Sequence, residues 1–323
     1  MLNMAHFIMH KSLVIPLSII TALTTACSGN GSDTTTAGRG GDTNEPALTP
    51  SSLTISITDA VVDSAAKVVV QFSGLTIKAE SAADIEYNFE SPRSIDLLSL
   101  QGTVFEDLIS DQVIPVGKYT SIRLHVNVED GVDDTYIELT DGSRHELSIP
   151  SGSQSGLKIN RGFELTETED LHLMIDFDLR KSVVLSNNGY KLRPTLRLVN
   201  MDDVQHISGD IDAPFLGAPN CSDSDPETGN AVYLFEGYDI VADDIDNQEP
   251  NPLTSAAVHL NSASGQYEYT IAFMPPGEYT LAFTCQADLD NPETDDAIIF
   301  SYSENIQLEA TEDSPEPAVN PMR

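Results

Sequence analysis

From Leu53 onward the chain alternates. Leu53, Ile55 and Ile57 are apolar, with Thr54, Ser56 and Thr58 between them, and a period of two predicts a half-buried strand. Val68-Val69-Val70 predicts a more fully buried strand, and Leu75-Thr76-Ile77-Lys78 alternates again. Ile122, Leu124, Val126 and Val128 share one face, with Arg123, His125, Asn127 and Glu129 on the other. Leu171, Leu173, Ile175, Phe177 and Leu179 alternate with His172, Met174, Asp176, Asp178 and Arg180. Leu192, Leu196 and Leu198 alternate with Lys191, Arg193, Thr195 and Arg197. A helical turn or two is expected around residues 95–98 and 105–108. Beyond residues 202–208, strands are predicted at 231–235, 267–273, 279–284 and 298–300, separated by acidic, Pro-rich loops. Many short strands with turn signals between them predict an all-β chain of two β-sandwich domains. We place these at residues 51–204 and 205–310, with a disordered tail at 311–323.

One short pattern occurs twice. Pro115-Val116-Gly117-Lys118-Tyr119-Thr120 and Pro275-Pro276-Gly277-Glu278-Tyr279-Thr280 both run into a predicted strand. Pro pre-sets φ and Gly permits a tight turn, so each predicts a corner with its tyrosine across the sandwich edge.

The first 50 residues follow a different rule. His10 and Lys11 precede an apolar run of about 11 residues, against the roughly 20 that cross a bilayer; small residues Thr24-Thr25-Ala26 and then Cys27 follow. This is an export signal at residues 1–26. It resembles the bacterial lipoprotein signal, which implies diacylation of Cys27, palmitate in the mature protein and anchoring in a membrane. Ser28 is not the Asp that resembles an inner-membrane retention signal, so the outer membrane is the expected location. Residues 27–50 are rich in Gly, Ser, Thr and Asp and predict a flexible tether spanning on the order of 25–30 Å.

Charge narrows the partners. The chain carries 51 Asp+Glu against 16 Lys+Arg, a net charge of -35. Such a chain is repelled by nucleic acid, which removes nucleic-acid partners. The imbalance is uneven: 13 basic and 25 acidic side chains lie in residues 51–204, and no Lys or Arg lies between Asp202 and Met322. Cys221 and Cys285 both lie in that acidic half. In an exported chain they are expected to pair; no Cys-x-x-Cys spacing or neighbouring base marks a reactive thiol.

Several blocks resemble a known family: Leu53-Thr54-Ile55-Ser56-Ile57-Thr58-Asp59-Ala60, Ser94-Ile95-Asp96-Leu97-Leu98-Ser99-Leu100-Gln101-Gly102, Gly117-Lys118-Tyr119-Thr120-Ser121-Ile122-Arg123-Leu124, the run from Ile149 to Lys158, Ile175-Asp176-Phe177-Asp178-Leu179-Arg180, and Leu192-Arg193-Pro194. Together they resemble the bacterial and archaeal family catalogued as domain of unknown function 4382, over about residues 51–200. The resemblance implies an exported, often lipid-anchored β-domain and brings no assigned activity. Gly265-Gln266-Tyr267 and Pro276-Gly277-Glu278-Tyr279-Thr280 are similar to the transthyretin-like regulatory modules of carboxypeptidases, which implies a small binding or structural sandwich.

Three constellations could carry chemistry. His145-Glu146 lacks a second His at Ile149, so the zinc-protease pattern fails. Arg123, His125, Asp176, Asp178 and Arg180 are expected on polar strand faces, a ladder of opposite charges or a glycan- or polymer-binding face. Asp288, Asp290, Glu293, Asp295 and Asp296 crowd one loop, Asp243, Asp244 and Asp246 another, and Asp223, Asp225 and Glu227 a third. Ca²⁺ takes six to eight oxygens, so these loops are its candidate ligands, although no EF-hand spacing is met. The sequence therefore predicts a non-catalytic envelope module, with no required cofactor, Ca²⁺ as the candidate ion, and a glycan or envelope protein as partner. The alternative is a hydrolase using Asp176, Asp178 and His172. A pocket around those carboxylates, with a histidine in reach, would favour that alternative.

Overall fold

A computed structural model describes residues 51–60, 65–129, 131–150, 156–167, 170–187, 189–310 and 318–319. The signal, Cys27 and the tether lie outside the described residues. Two sandwiches account for nearly all the described chain. In the first, a four-stranded sheet runs in the order Leu196–Asn200, Leu171–Asp178, Ser51–Ala60, Glu106–Ile114. It faces a larger sheet centred on Ala65–Ala79 and Gly117–Asn127. Leu53, Ile55 and Ile57 are fully buried between the two, as the alternation requires. Phe72 meets Phe177 edge-on across the gap, ring centroids 6.4 Å apart.

In the second sandwich, Gln205–Ile211 pairs with Tyr267–Met274 in one sheet, and Ala231–Glu236 pairs with Gly277–Thr284 in the other. Its core holds Ile207, Val232, Leu234, Tyr269, Ile271, Leu281 and Phe283. Cys221 and Cys285 are joined by a disulfide there. The two corner motifs form as the pattern predicts. Tyr119 Oη donates to the Pro115 carbonyl at 2.6 Å, and Tyr279 Oη donates to the Pro275 carbonyl at 2.8 Å.

Four local expectations need correction. Of residues 95–98, Ile95 and Asp96 end the strand Ile85–Asp96 and Leu97 and Leu98 enter a 3-10 turn, Leu97–Ser99, while Phe105 leads into the strand Glu106–Ile114 and not into a helix. Arg180 follows the strand and lies in a helical turn, Leu179–Ser182. The last long strand begins only at Phe300. Within the expected tail, Ala318–Val319 pair in parallel with Gln205–Ile211.

The largest departure concerns the outward face of Leu171–Asp178. Alternation predicts it exposed, yet Met174, Asp176 and Asp178 are all buried. The second sandwich covers it. Met174, Val199 and Val204 form an apolar cluster with Phe273. Phe273 reaches it from a β-bulge: between the pairs Gln205–Met274 and Ile207–Ile271, His206 faces two residues, Ala272 and Phe273. Phe273 sits at φ 54, and a bulge of this kind re-aims a side chain. Its ring meets Phe105 at 6.2 Å and His206 at 5.2 Å.

Candidate functional site

The proposed polar face does not exist as one surface. Arg123 and His125 lie on Gly117–Asn127 in the larger sheet, whereas Asp176 and Asp178 lie on Leu171–Asp178 in the four-stranded one. His125 Nε2 is 2.7 Å from Thr76 Oγ1 on the neighbouring strand Ala65–Ala79. His172 Nε2 is 2.7 Å from Ser56 Oγ. It stands four residues from Asp176, about 13 Å along a strand.

The carboxylates are committed elsewhere. Register sets Thr58, Asp176 and Arg197 in one row across three strands. Arg197 Nε and Nη2 donate to Asp176 Oδ2 at 2.9 and 2.5 Å. Burial pushes the Asp176 carboxyl above its ordinary range, with Arg197 opposing the shift. Asp178 Oδ1 caps the helical turn by accepting from the Lys181 amide at 3.2 Å, and its Oδ2 lies 3.5 Å from Lys181 Nζ. Lys181 also donates to the carbonyls of Pro252 and Leu253 in the second sandwich. Arg180 donates to Ser255 Oγ at 3.2 Å and to the Ala287 carbonyl at 2.8 Å, and its guanidinium lies 5.9 Å from the centre of the Tyr233 ring. The cavity lined by Asp176 and Arg197 measures about 30 Å³, room for about one water. Arg180 and Lys181 thus join the two sandwiches.

Two of the three acidic loops converge. The loop after Ala231–Glu236 folds back over the outer face of its own sheet. Ile245 is buried there with Ala231, Tyr233, Phe235, Ala282 and Ala287. This explains why residues 231–235 read as a continuous apolar run: both faces are covered. Anchoring Ile245 turns Asp244 inward. Carboxylate oxygens of Asp244, Asp290 and Asp296 lie within 4.8 Å of one another, as do those of Asp244, Asp246 and Asp295.

Asp244 is 1% exposed. Its Oδ2 accepts from the Asp296 amide at 2.6 Å, while its buried Oδ1 accepts no hydrogen bond. Asp296 Oδ2 accepts from the Asn291 amide at 2.8 Å. Asp290 Oδ2 accepts from Tyr233 Oη at 2.5 Å, and Oδ1 from the Ile245 amide at 3.2 Å. Burial pushes Asp290 up to about 6, against the pull of Tyr233, Ile245 and Arg180. Burial also raises Asp244, and neighbouring Asp246 and Asp243 add to the shift. Two carboxylates 4.8 Å apart repel by about 3–4 kcal/mol at an effective dielectric of 20.

The other acidic candidates sit apart. Asp243 Oδ1 accepts from the Asp244 amide. Asp288 lies beside Gly229, where a Cβ would come within 2.4 Å of its Oδ1. Glu293 reaches across to Arg193 of the first sandwich. The third loop closes on itself: Asp223 accepts from the Asp225 amide and the Thr228 hydroxyl, which lowers its carboxyl. Tyr233 and Arg180, which oppose the burial shift at Asp290, are not acidic-loop residues; the sequence placed Tyr233 only in a strand and Arg180 only on a polar face. Ile240, Ala242 and Ile245, apolar residues inside an acidic loop, were the available signal that it packs down.

Residues 50–194 match the family described as Domain of unknown function (DUF4382). No curated protein matches the chain. Among solved structures, the Bacillus anthracis TIE protein is similar at 11% identity and TM-score 0.20, covering 84% of this chain and 34% of its own. A fimbrial protein from Bacteroides ovatus is similar at 10% identity and TM-score 0.19, covering 85% of this chain and 48% of its own. The chain thus spans about a third of the first and just under half of the second.

Proposed function

We propose that this chain, with its DUF4382 domain at residues 50–194, is a lipid-anchored outer-membrane protein whose two sandwiches act as a non-catalytic binding or structural module. A glycan or an envelope protein is the proposed partner. The observation carrying the non-catalytic reading is the fate of the best catalytic candidates. Asp176 is held by Arg197, and Asp178 caps a turn and faces Lys181. Both lie beneath the second sandwich, while His172 and His125 contact hydroxyls on different sheets. A general acid or base must reach its substrate, and these carboxylates are only 6% and 5% exposed.

The anchor rests on the sequence alone: an export signal ending in a small residue and Cys27. Two or three acyl chains, each buried methylene adding about 0.8 kcal/mol, make release negligible. Labelled palmitate in growing cells tests it. The wild-type chain is expected to take up label and to fractionate with the outer membrane; Cys27→Ser is expected to lose both. Equal labelling of the Cys27→Ser chain overturns the reading.

A further inference from the structure

We propose that Asp244, Asp290 and Asp296 bind one hard divalent cation of the calcium class, with Asp246 and Asp295 at its solvent side, and that the ion clasps residues 239–253 to residues 286–299. This goes beyond the envelope reading and does not depend on lipidation.

Two independent observations carry it. The first is convergence. Segments 46 residues apart in sequence, at Asp244 and Asp290, bring carboxylate oxygens within 4.8 Å. Oxygens bound to one Ca²⁺ at about 2.4 Å can be at most about 4.8 Å apart. The second is the orphaned oxygen. Asp244 is almost completely buried, and its Oδ1 accepts no hydrogen bond. A buried carboxylate oxygen without a partner is costly, and a cation bound at that atom satisfies it directly. The neighbouring hydrogen bonds leave this use open. Asp244 Oδ2 is already turned to the Asp296 amide, and Asp290 is oriented by Tyr233 and Ile245. Oriented carboxylates from loops, all oxygen donors, suit Ca²⁺ better than Mg²⁺, which demands near-octahedral geometry and keeps several waters.

The geometry also supplies a probe. The chain has no Trp, and the Tyr233 hydroxyl touches a proposed ligand. Terbium bound at this site is therefore sensitised through Tyr233.

The experiment uses the full chain, solubilised in detergent and stripped with a chelator. Calcium chloride is titrated by calorimetry, and terbium by tyrosine-sensitised emission. A single saturable site with Kd around 10⁻⁴–10⁻³ M is expected for calcium, together with a melting temperature that rises with calcium concentration. Asp244→Asn is expected to weaken it at least tenfold, and Asp223→Asn, in the self-closed third loop, to leave it unchanged. Should Asp244→Asn fail to fold, the partly exposed Asp246→Asn is expected to weaken binding two- to tenfold. Absence of heat and of sensitised emission in the wild type overturns the proposal. So does equal weakening by Asp223→Asn, which would mean a diffuse cloud of counterions around an acidic surface.

Discussion

Replacing Arg197 by methionine tests the reading of Asp176 as a buried, paired carboxylate most directly. Methionine keeps most of the aliphatic stem and removes the charge. The partner left behind is Asp176, whose side chain is 8% exposed, against 17% for Arg197. Breaking a buried ion pair from one side costs about 3–5 kcal/mol, because the remaining charge is uncompensated. Some water reaches Arg197, so we expect a loss near 3 kcal/mol at pH 8. The dependence on pH has a definite sign. An unfolded aspartate loses its proton near pH 3.9. Burial holds folded Asp176 above its ordinary value, Asp178 pushes it further up, and Arg197 and Lys181 pull it down. Across the window between unfolded and folded values, the folded state binds more protons, so stability falls as pH rises. Removing Arg197 widens that window upward. The deficit of Arg197→Met relative to wild type is therefore largest at pH 8 and shrinks as pH falls and Asp176 takes up a proton. Urea unfolding followed by far-ultraviolet circular dichroism, at both pH values, measures it. Adding Asp176→Asn to Arg197→Met is expected to recover at least about 1 kcal/mol at pH 8, as double-mutant coupling between contacting charges predicts. A deficit that is equal at pH 5 and pH 8, or strict additivity of the two substitutions, refutes the argument.

Two further outcomes follow from the same structure. The disulfide closes a separation of 64 residues, so Cys221→Ser with Cys285→Ser is expected to lose about 4 kcal/mol by the chain-entropy relation. Thermal melting of that double variant, with and without reductant, checks this, and a loss below about 1 kcal/mol counts against it. Tyr119→Phe and Tyr279→Phe each delete one hydrogen bond to a proline carbonyl. Each is expected to cost about 0.5–1.5 kcal/mol, and the two losses, in separate cores, should add when chemical denaturation is measured on the double variant.

Much of the fold is legible in local pattern. Leu53, Ile55, Ile57, Ile122 and Leu124 are buried because a pleated strand sends alternate side chains to one face. The paired corners follow from Pro and Gly placed before a tyrosine. The expectation for Phe105 failed because a few apolar residues fit a helical turn and a strand equally well. The expectation for Asp176, Asp178 and Arg180 failed for another reason. Polar residues alternating with apolar ones predict solvent on one side, and the sequence pattern of a strand carries no mark of a second domain docked there. The acidic loops divide similarly. Their composition marks them as ligand candidates, but only folding shows that Asp244 meets Asp290 while Asp223 closes on Thr228.

Strand periodicity and turn residues act over a few neighbouring positions, and the amino-acid order alone determined them: an all-β chain and its corners; the Cys221–Cys285 bridge, across 64 residues, was legible because only these two cysteines follow Cys27. Which face a second sandwich covers, and which carboxylates share a site, depend on contacts between residues tens of positions apart. Tertiary structure alone decided that Asp176 is buried beneath the second sandwich and that Asp244 is an inward-facing carboxylate, because burial, not residue type, sets what a charge can do.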